Sequence, residues 1–252
     1  MRKIGRILLV SCAAGFAYLA YLFLTVPDVR ALRTTNPATT AFIELRAQQA
    51  RARGQVPGRA QSWVPYARIS PELTRAVLVT EDSAFWQHEG IDLDQIRESL
   101  EVNLKKGTFA RGASTITQQL AKNLYLSPSK NPFRKLRELL IARRLEAELS
   151  KRRILEIYLN VIEWGDGIYG AEAAARAYFK KPAANLTAEE AALMAGAIFN
   201  PRVLNPRRPS PGLIRRQHVI LQRMGAEVPP PVDPGGLNGA AKPPQPYGRP
   251  PG

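Results

Sequence analysis

Glu81-Asp82 and, a short way further on, Ser114-Thr115-Ile116-Thr117-Gln118-Gln119-Leu120-Ala121-Lys122-Asn123 hold the side chains best suited to chemistry in this sequence. A carboxylate can take a proton from a hydroxyl, hydroxyls and amides can orient a polyhydroxylated ring, and a lysine can neutralise a phosphate. Together they suit a reaction on a sugar that carries phosphate. Lys130, Arg134 and Lys135 add cations, and Glu138 adds a second carboxylate on the same helix face as Arg134. Taken singly, each feature has a plainer reading. Glu81-Asp82 would be a solvated helix end, and Arg134 with Glu138 an exposed ion pair worth ~0.3 to 0.5 kcal/mol.

The elements that must position these groups read as helices, with little strand alternation between Trp63 and Met224. Ser70-Pro71 opens a helix that delivers Glu81 and Asp82 near its carboxyl end. Asp92 or Asp94 opens another, which closes at Lys105-Lys106-Gly107, and Ser114 is expected to cap a helix through Leu124. Residues 134–149 are apolar on most sides, which predicts a helix through the domain centre with one charged face on a cleft. Thr187 to Glu190 has capping-box spacing, and Ser210-Pro211 to Gly225 brackets the last helix. Upstream, Asn36-Pro37 reads as a helix start ending at Gly54, and Gln55 to Ser62 as a linker.

Residues 7–26 carry no charge and follow Arg2, Lys3 and Arg6. That is long enough to cross a hydrocarbon layer of ~30 Å as a helix, with the amino terminus held on the cytoplasmic side. A cleaved signal peptide would have a shorter apolar core and small residues at the cut, whereas this run ends in Val26-Pro27-Asp28. Cys12, the single cysteine, lies inside the run, so the exported part has neither a disulfide nor a thiol nucleophile. The net charge of +15 would suit nucleic acid, but an exported, anchored domain meets lipid phosphates instead. The 252 residues accommodate one catalytic domain with accessory segments. The division expected is 1–28 as cytoplasmic stub and anchor, 29–62 as membrane-proximal helix and linker, 63–226 as the catalytic domain, and 227–252 as a Pro/Gly-rich disordered tail.

Five motifs in order carry a resemblance that covers Trp63 to about Pro206. They are Glu81-Asp82-x-x-Phe85-x-x-His88-x-Gly90, then Gly112-x-Ser114-Thr115-Ile116-Thr117-Gln118-Gln119-x-x-Lys122-Asn123, and Arg134-Lys135-x-x-Glu138. Lys151-x-x-Ile154-Leu155-Glu156-x-Tyr158-Leu159-Asn160 continues to Gly165, Gly170 and Ala174, and a weaker fifth runs from Glu189 to Asn205-Pro206. The sequence resembles the monofunctional biosynthetic peptidoglycan transglycosylases, glycosyltransferase family 51, whose domain also occurs in class A penicillin-binding proteins. It departs conservatively at Ala113, where many relatives have glycine.

The resemblance implies a mainly α, lysozyme-like glycosyltransferase domain with a smaller membrane-facing lobe, preceded by one transmembrane helix. It implies an inner-membrane protein with a periplasmic catalytic domain that polymerises lipid II into β-1,4-linked glycan and releases undecaprenyl pyrophosphate. Glu81 would be the general base at the acceptor hydroxyl, and Glu138 the family's second catalytic carboxylate, organising the cations, a bound water or a metal. Asp82, Ser114, Thr115, Gln118, Gln119, Lys122, Asn123, Lys130, Arg134 and Lys135 would bind substrate. Pyrophosphate is a competent leaving group, so such a site needs cations more than a strong acid. No cofactor is implied with certainty; a divalent cation, Mg or Mn, would sit at the pyrophosphate. The partners implied are lipid II, the growing glycan strand, membrane lipids and other cell-wall synthesis or division proteins, with no nucleic acid.

Two other readings compete. A lysozyme-like hydrolase also uses a glutamate, but hydrolysis gives no reason for the cations. A silent lipid II-binding scaffold gains little from keeping a base. Phe85, His88, Gly90 and Glu156 read as structural, and Arg143, Arg144, Arg152 and Arg153 as a solvated or membrane-facing basic surface. Ser127-Pro128-Ser129-Lys130 fits the Ser-x-x-Lys pattern of transpeptidases, but no Lys-Thr-Gly follows, so no transpeptidase activity is expected.

Overall fold

Side-chain caps set most helix boundaries in this molecule, a computed structural model that describes residues 2–107, 114–126 and 132–225. Gly112, Ala113, the Ser127–Lys130 pattern with its Lys130, and the tail from residue 226 lie outside the described residues. The fold is mainly α. The helices are α1 (Arg2–Leu24), α2 (Ala41–Ala52), α3 (Pro71–Glu81), α4 (Leu93–Lys106), α5 (Ile116–Tyr125), α6 (Pro132–Glu148), α7 (Lys151–Val161), α8 (Ala171–Phe179), α9 (Ala188–Ala197) and α10 (Pro211–Met224). Ser70, Asp92, Thr187 and Ser210 cap α3, α4, α9 and α10 as their positions predict, and Thr187 and Glu190 form the reciprocal capping box.

Two predicted starts shift. Thr40, not Asn36, caps α2 by accepting from the Ile43 amide, because the Asn36 side chain is taken by the Arg153 guanidinium 2.8 Å away. Thr115, not Ser114, caps α5 through the Gln118 amide, while the Ser114 hydroxyl turns outward to Lys135. Arg153 is accordingly no surface cation: it also donates to the carbonyls of Leu32 and Thr35 and pairs with Glu156, tying the segment after α1 to α7.

A small sheet escapes the period-two pattern because its strands are too short to show one. β1 (Ala60–Gln61), β2 (Glu163–Gly165) and β3 (Ile168–Tyr169) lie in the order β1-β3-β2, with β1 parallel and β2 antiparallel to β3. The stretch expected to be a linker therefore contributes a strand. Gly167 and Gly170 permit this packing: both have positive φ, and a Cβ at Gly170 would meet the Asn160 carbonyl oxygen at 2.7 Å.

The helix at the centre is α7, where the prediction pointed to α6. Ile154, Leu155, Ile157, Tyr158 and Leu159 are fully enclosed on α7, whereas Leu136, Leu139 and Leu140 of α6 keep part of their surface exposed. The amphipathic pattern of α6 is real, but its first turns run beside α1 and the open side of the molecule: Phe133 stacks edge-on against Tyr18 at 4.9 Å, and Arg137 donates to the Thr25 carbonyl. α1 itself is long and apolar enough to cross a membrane and is almost wholly exposed, Cys12 included.

Asn160 locks the entry to the domain. Its amide exchanges both hydrogen bonds with the Val64 backbone, each at 2.9 Å, and also donates to the Glu156 carbonyl. Asn160→Ala leaves the buried Val64 amide and carbonyl unsatisfied, and should destabilise the fold by about 2 to 4 kcal/mol. Urea denaturation of the detergent-solubilised protein reads this as a lower midpoint at unchanged slope; an unaltered midpoint would show the pairing to be dispensable.

Candidate active site

Glu81 is the last residue of α3, and α5 approaches that helix end because of its neighbour. Asp82, essentially enclosed, accepts from the Ile116 amide at 2.9 Å and faces His88 Nε2 at 3.0 Å. The Gly90 amide donates to His88 Nδ1, which leaves Nε2 as the nitrogen that donates to Asp82. The Gly90 carbonyl in turn accepts from the Thr115 hydroxyl and the Gln118 side-chain amide. Asp82 and Thr115, expected among the substrate ligands, therefore have their side chains turned into this brace rather than into the groove. Both are too enclosed to meet a substrate, and both side chains have their hydrogen-bond partners within the protein.

Brought to Glu81 by that brace, Gln119 donates to its Oε2 at 2.8 Å. The orientation of the Gln119 amide is set from behind. The buried Tyr158 hydroxyl donates to Gln119 Oε1 at 2.9 Å, and burial together with the Glu81 and Asp82 charges holds this phenol well above its usual range. With its oxygen committed to a phenol that keeps its proton, Gln119 can present only its NH2 to the carboxylate. Burial raises the Glu81 carboxyl above the ordinary glutamate value, opposed by Gln119 and by the charges of Arg216 and Lys122. No ion pair neutralises Glu81 among the described residues.

The cations gather opposite. Arg134 and Lys135 hold the two oxygens of the buried Glu138 at 3.0 and 2.5 Å, and Lys135 also reaches Gln118 Oε1 at 2.7 Å and the Ser114 hydroxyl at 3.2 Å. Lys122 differs from both: its ammonium has no hydrogen bond or ion pair among the described residues. Burial and the charges of Arg134 and Lys135 depress its affinity for a proton, while Glu138 and Glu81 sustain it. A half-buried unpaired ammonium costs free energy that an incoming anion would recover. Asn123 donates to the Gln119 carbonyl and lines, with Gln119, Lys122 and Tyr158, a groove of about 290 Å³.

Three contributions to this groove have no signal in the sequence. Arg216 on α10 acts on the Glu81 charge and stacks over Phe199, 4.9 Å from the ring centroid. Phe42 and Arg46 on α2 form another wall, with Glu163 behind them. Each is an ordinary residue of an amphipathic helix or a short strand, and only the packing of α2 onto α5 and of α10 onto α3 and α9 turns them inward.

Among the described residues, a divalent ion finds no suitable donor set here. Both oxygens of Glu138 are engaged by cations. Asp82, His88 and Asp92 bring ligand atoms within 4.8 Å of one another, but His88 and the Ile116 amide take up Asp82 while Asp92 caps α4 through the Gln95 amide.

Residues 49–225 match the transglycosylase family model, and the chain belongs to this family, glycosyl-transferring enzymes built here on a mainly helical domain. Proteins named biosynthetic peptidoglycan transglycosylase are among its relatives. One from Dechloromonas aromatica (strain RCB) is 49% identical over 195 residues, covering 77% of this chain and 84% of that protein. Those from Nitrosospira multiformis and Laribacter hongkongensis are 44% and 51% identical, over 89% and 75% of this chain and 96% and 83% of their own lengths.

Tyr158→Phe keeps the ring but frees the Gln119 amide to turn its oxygen toward Glu81. Steady-state kinetics of glycan formation should show kcat lowered about tenfold, the equivalent of one hydrogen bond, with the melting temperature little changed. Wild-type kcat in the Phe variant would mean that Gln119 needs no orientation from behind.

Proposed function

We propose that the chain polymerises lipid II into β-1,4-linked peptidoglycan strands, with inversion at the anomeric carbon and release of undecaprenyl pyrophosphate. The Lys122 ammonium and the Glu81 carboxylate, each without an ion pair among the described residues and each within reach of the other's charge, are the observation that carries this reading. Glu81 takes the proton of the acceptor GlcNAc 4-hydroxyl as that oxygen attacks C1 of the donor MurNAc. The C1–O bond to pyrophosphate breaks, and the developing negative charge on the departing oxygens falls to Lys122, Arg134 and Lys135. Glu138 is a positioning residue in this scheme, since it holds Arg134 and Lys135 and has no free oxygen for substrate. Ser114, Gln118 and Asn123 orient the sugar or its phosphates, and Lys130 belongs with the cations by sequence.

Support for a membrane-bound substrate comes from the exposed apolar residues of α4 and α6. Leu93, Leu100 and Leu104 form a stripe on α4 that is 74%, 58% and 72% exposed, and Phe133, half exposed beside Tyr18 of α1, directly precedes Arg134 and Lys135. An apolar α4 face and an anchor helix at that level would bring the cations to the depth of lipid phosphates. The amino terminus would be cytoplasmic and the catalytic domain periplasmic, in the inner membrane. The names of the relatives support the peptidoglycan substrate. Hydrolysis and silent scaffolding are disfavoured by the same pairing, because water needs no cationic nest and a binder needs no base.

Glu81→Gln should lower kcat for lipid II polymerisation by about 10² to 10⁴, with the protein still folded. Undiminished polymer formation by that variant would end the assignment of the base, and shortened preformed glycan without new polymer would favour hydrolysis. In the wild type, kcat/KM should rise with pH through an apparent pKa above 4.5, since the base works ionised and burial raises its pKa. The stability effect has the opposite sign. The folded state holds the Glu81 proton more tightly than the unfolded chain does, so this contribution is full below 4.5 and is lost as pH rises through the folded value. Lys122→Ala should cost about tenfold or more in kcat/KM through one lost charge-assisted phosphate contact.

A further inference from the structure

The groove does not end at the catalytic residues. Arg46 and Arg202 line both the groove beside Glu81 and a second depression of about 100 Å³, lined further by Gln49, Arg53, Gly58 and Asp166. The two hollows therefore adjoin, with two guanidinium groups on their shared boundary. The second depression is built from the end of α2, the segment before β1 and the turn between β2 and β3. Phe42 of the groove wall and Arg46 of the boundary precede the residues matched to the family.

Arg46 is held in advance of any ligand. Its Nε and one terminal nitrogen donate to Glu163 Oε2 at 3.1 and 3.0 Å, its other terminal nitrogen donates to Gln49 at 3.0 Å, and its plane lies over the Phe42 ring at 4.7 Å. Of the five N–H groups of a guanidinium, two stay unbonded, one on each terminal nitrogen. Arg202 is held by Nε alone, 2.8 Å from Asp166, so its terminal nitrogens keep all their donors. Arg53, exposed at the end of α2, has no partner among the described residues. The acids nearby are thus already used to aim arginines, and the unspent donors converge on the depression. Glu163 Oε1 is the only buried side-chain polar atom without a partner among the described residues, so Glu163 spends its one engaged oxygen on fixing Arg46 rather than on satisfying itself.

Pre-aimed guanidinium forks with spare N–H groups fit carboxylates. A neutral sugar face would need an open aromatic platform, whereas the Phe42 ring already carries Arg46 and the Tyr169 ring that lines the depression is buried. We propose that the depression beyond Arg46 and Arg202 is a subsite for the carboxylates of the peptide attached to the lactyl group of MurNAc. The inference rests on the lipid II reading above and adds to it a ligand for the second depression. The sugars occupy the groove beside Glu81 while the peptide branches past Arg46, so this protein distinguishes substrates by a group remote from the bond being made.

The test compares lipid II carrying its full peptide with an analogue whose peptide is cut to a single residue ending in an amide, which has no carboxylate. With the full-length wild-type protein, KM for the truncated substrate should be about tenfold higher, the worth of one charge-assisted contact. In Arg53→Glu the ratio of the two KM values should fall to about one. Arg53→Gln should give an intermediate ratio, and it changes no contact made in the fold. Equal KM values for both substrates in the wild type would overturn the subsite while leaving the polymerase intact, as would an undiminished ratio in Arg53→Glu. Failure of the wild type to polymerise either substrate would instead overturn the function on which the subsite rests.

Discussion

The enclosed carboxylate of Asp82 is the constraint from which the site follows. It stands at the end of α3 and accepts the first free amide of α5, at the positive end of that helix, where a negative charge is favoured. With His88 on the same group, the interaction joins two segments that the chain separates by a whole helix. Breaking a buried charged contact of this kind costs about 3 to 5 kcal/mol, because the surviving partner is left desolvated. The cost matters less than the geometry. With Ile116 fixed against Asp82, Gln119 and Lys122 lie one and two turns further along α5 and must face Glu81.

Around that joint, the protein sorts its charges into two kinds. Most of the acids near the site are committed to a cation or a backbone amide: Glu138 to Arg134 and Lys135, Glu146 to Lys151 and the Thr117 hydroxyl, Glu163 to Arg46. Glu81 and Lys122 have no opposite charge in contact among the described residues, and each is pushed by burial toward its neutral form. A fold optimised for stability alone would pair them. Keeping them apart stores the free energy that a substrate with a hydroxyl and a phosphate can use, the usual exchange of stability for activity.

Helix α2 shows how far the groove exceeds the motif residues. It looks like a stalk in the sequence, with charges and small residues in mixed order. Packed on α5, it brings Phe42 and Arg46 to the groove wall and borders the adjoining hollow lined by Arg53. The hairpin supplies the support, because Gly167 lets the turn approach Gly58 so closely that a Cβ there would sit 2.9 Å from its carbonyl oxygen.

Local interactions were legible in the residues themselves. Ser70-Pro71, Asp92, Thr187 and Ser210 announced their helices because a cap is satisfied within four residues and needs nothing distant. The run at 7–26 announced an apolar helix for the same reason. Glu81, Lys122, Arg134, Lys135 and Glu138 stood out because their types suit one chemistry. What the chain alone could not decide was which of these groups would stay unpaired. Asp82 and Thr115 looked like ligands and became the brace; Arg153 looked like surface and became a tether; α7 rather than α6 took the centre; Arg46 and Arg216 had no signal at all. Pairing and desolvation depend on neighbours brought together across the whole fold, and burial, not residue type, determines whether a charge is spent on the structure or kept for a substrate.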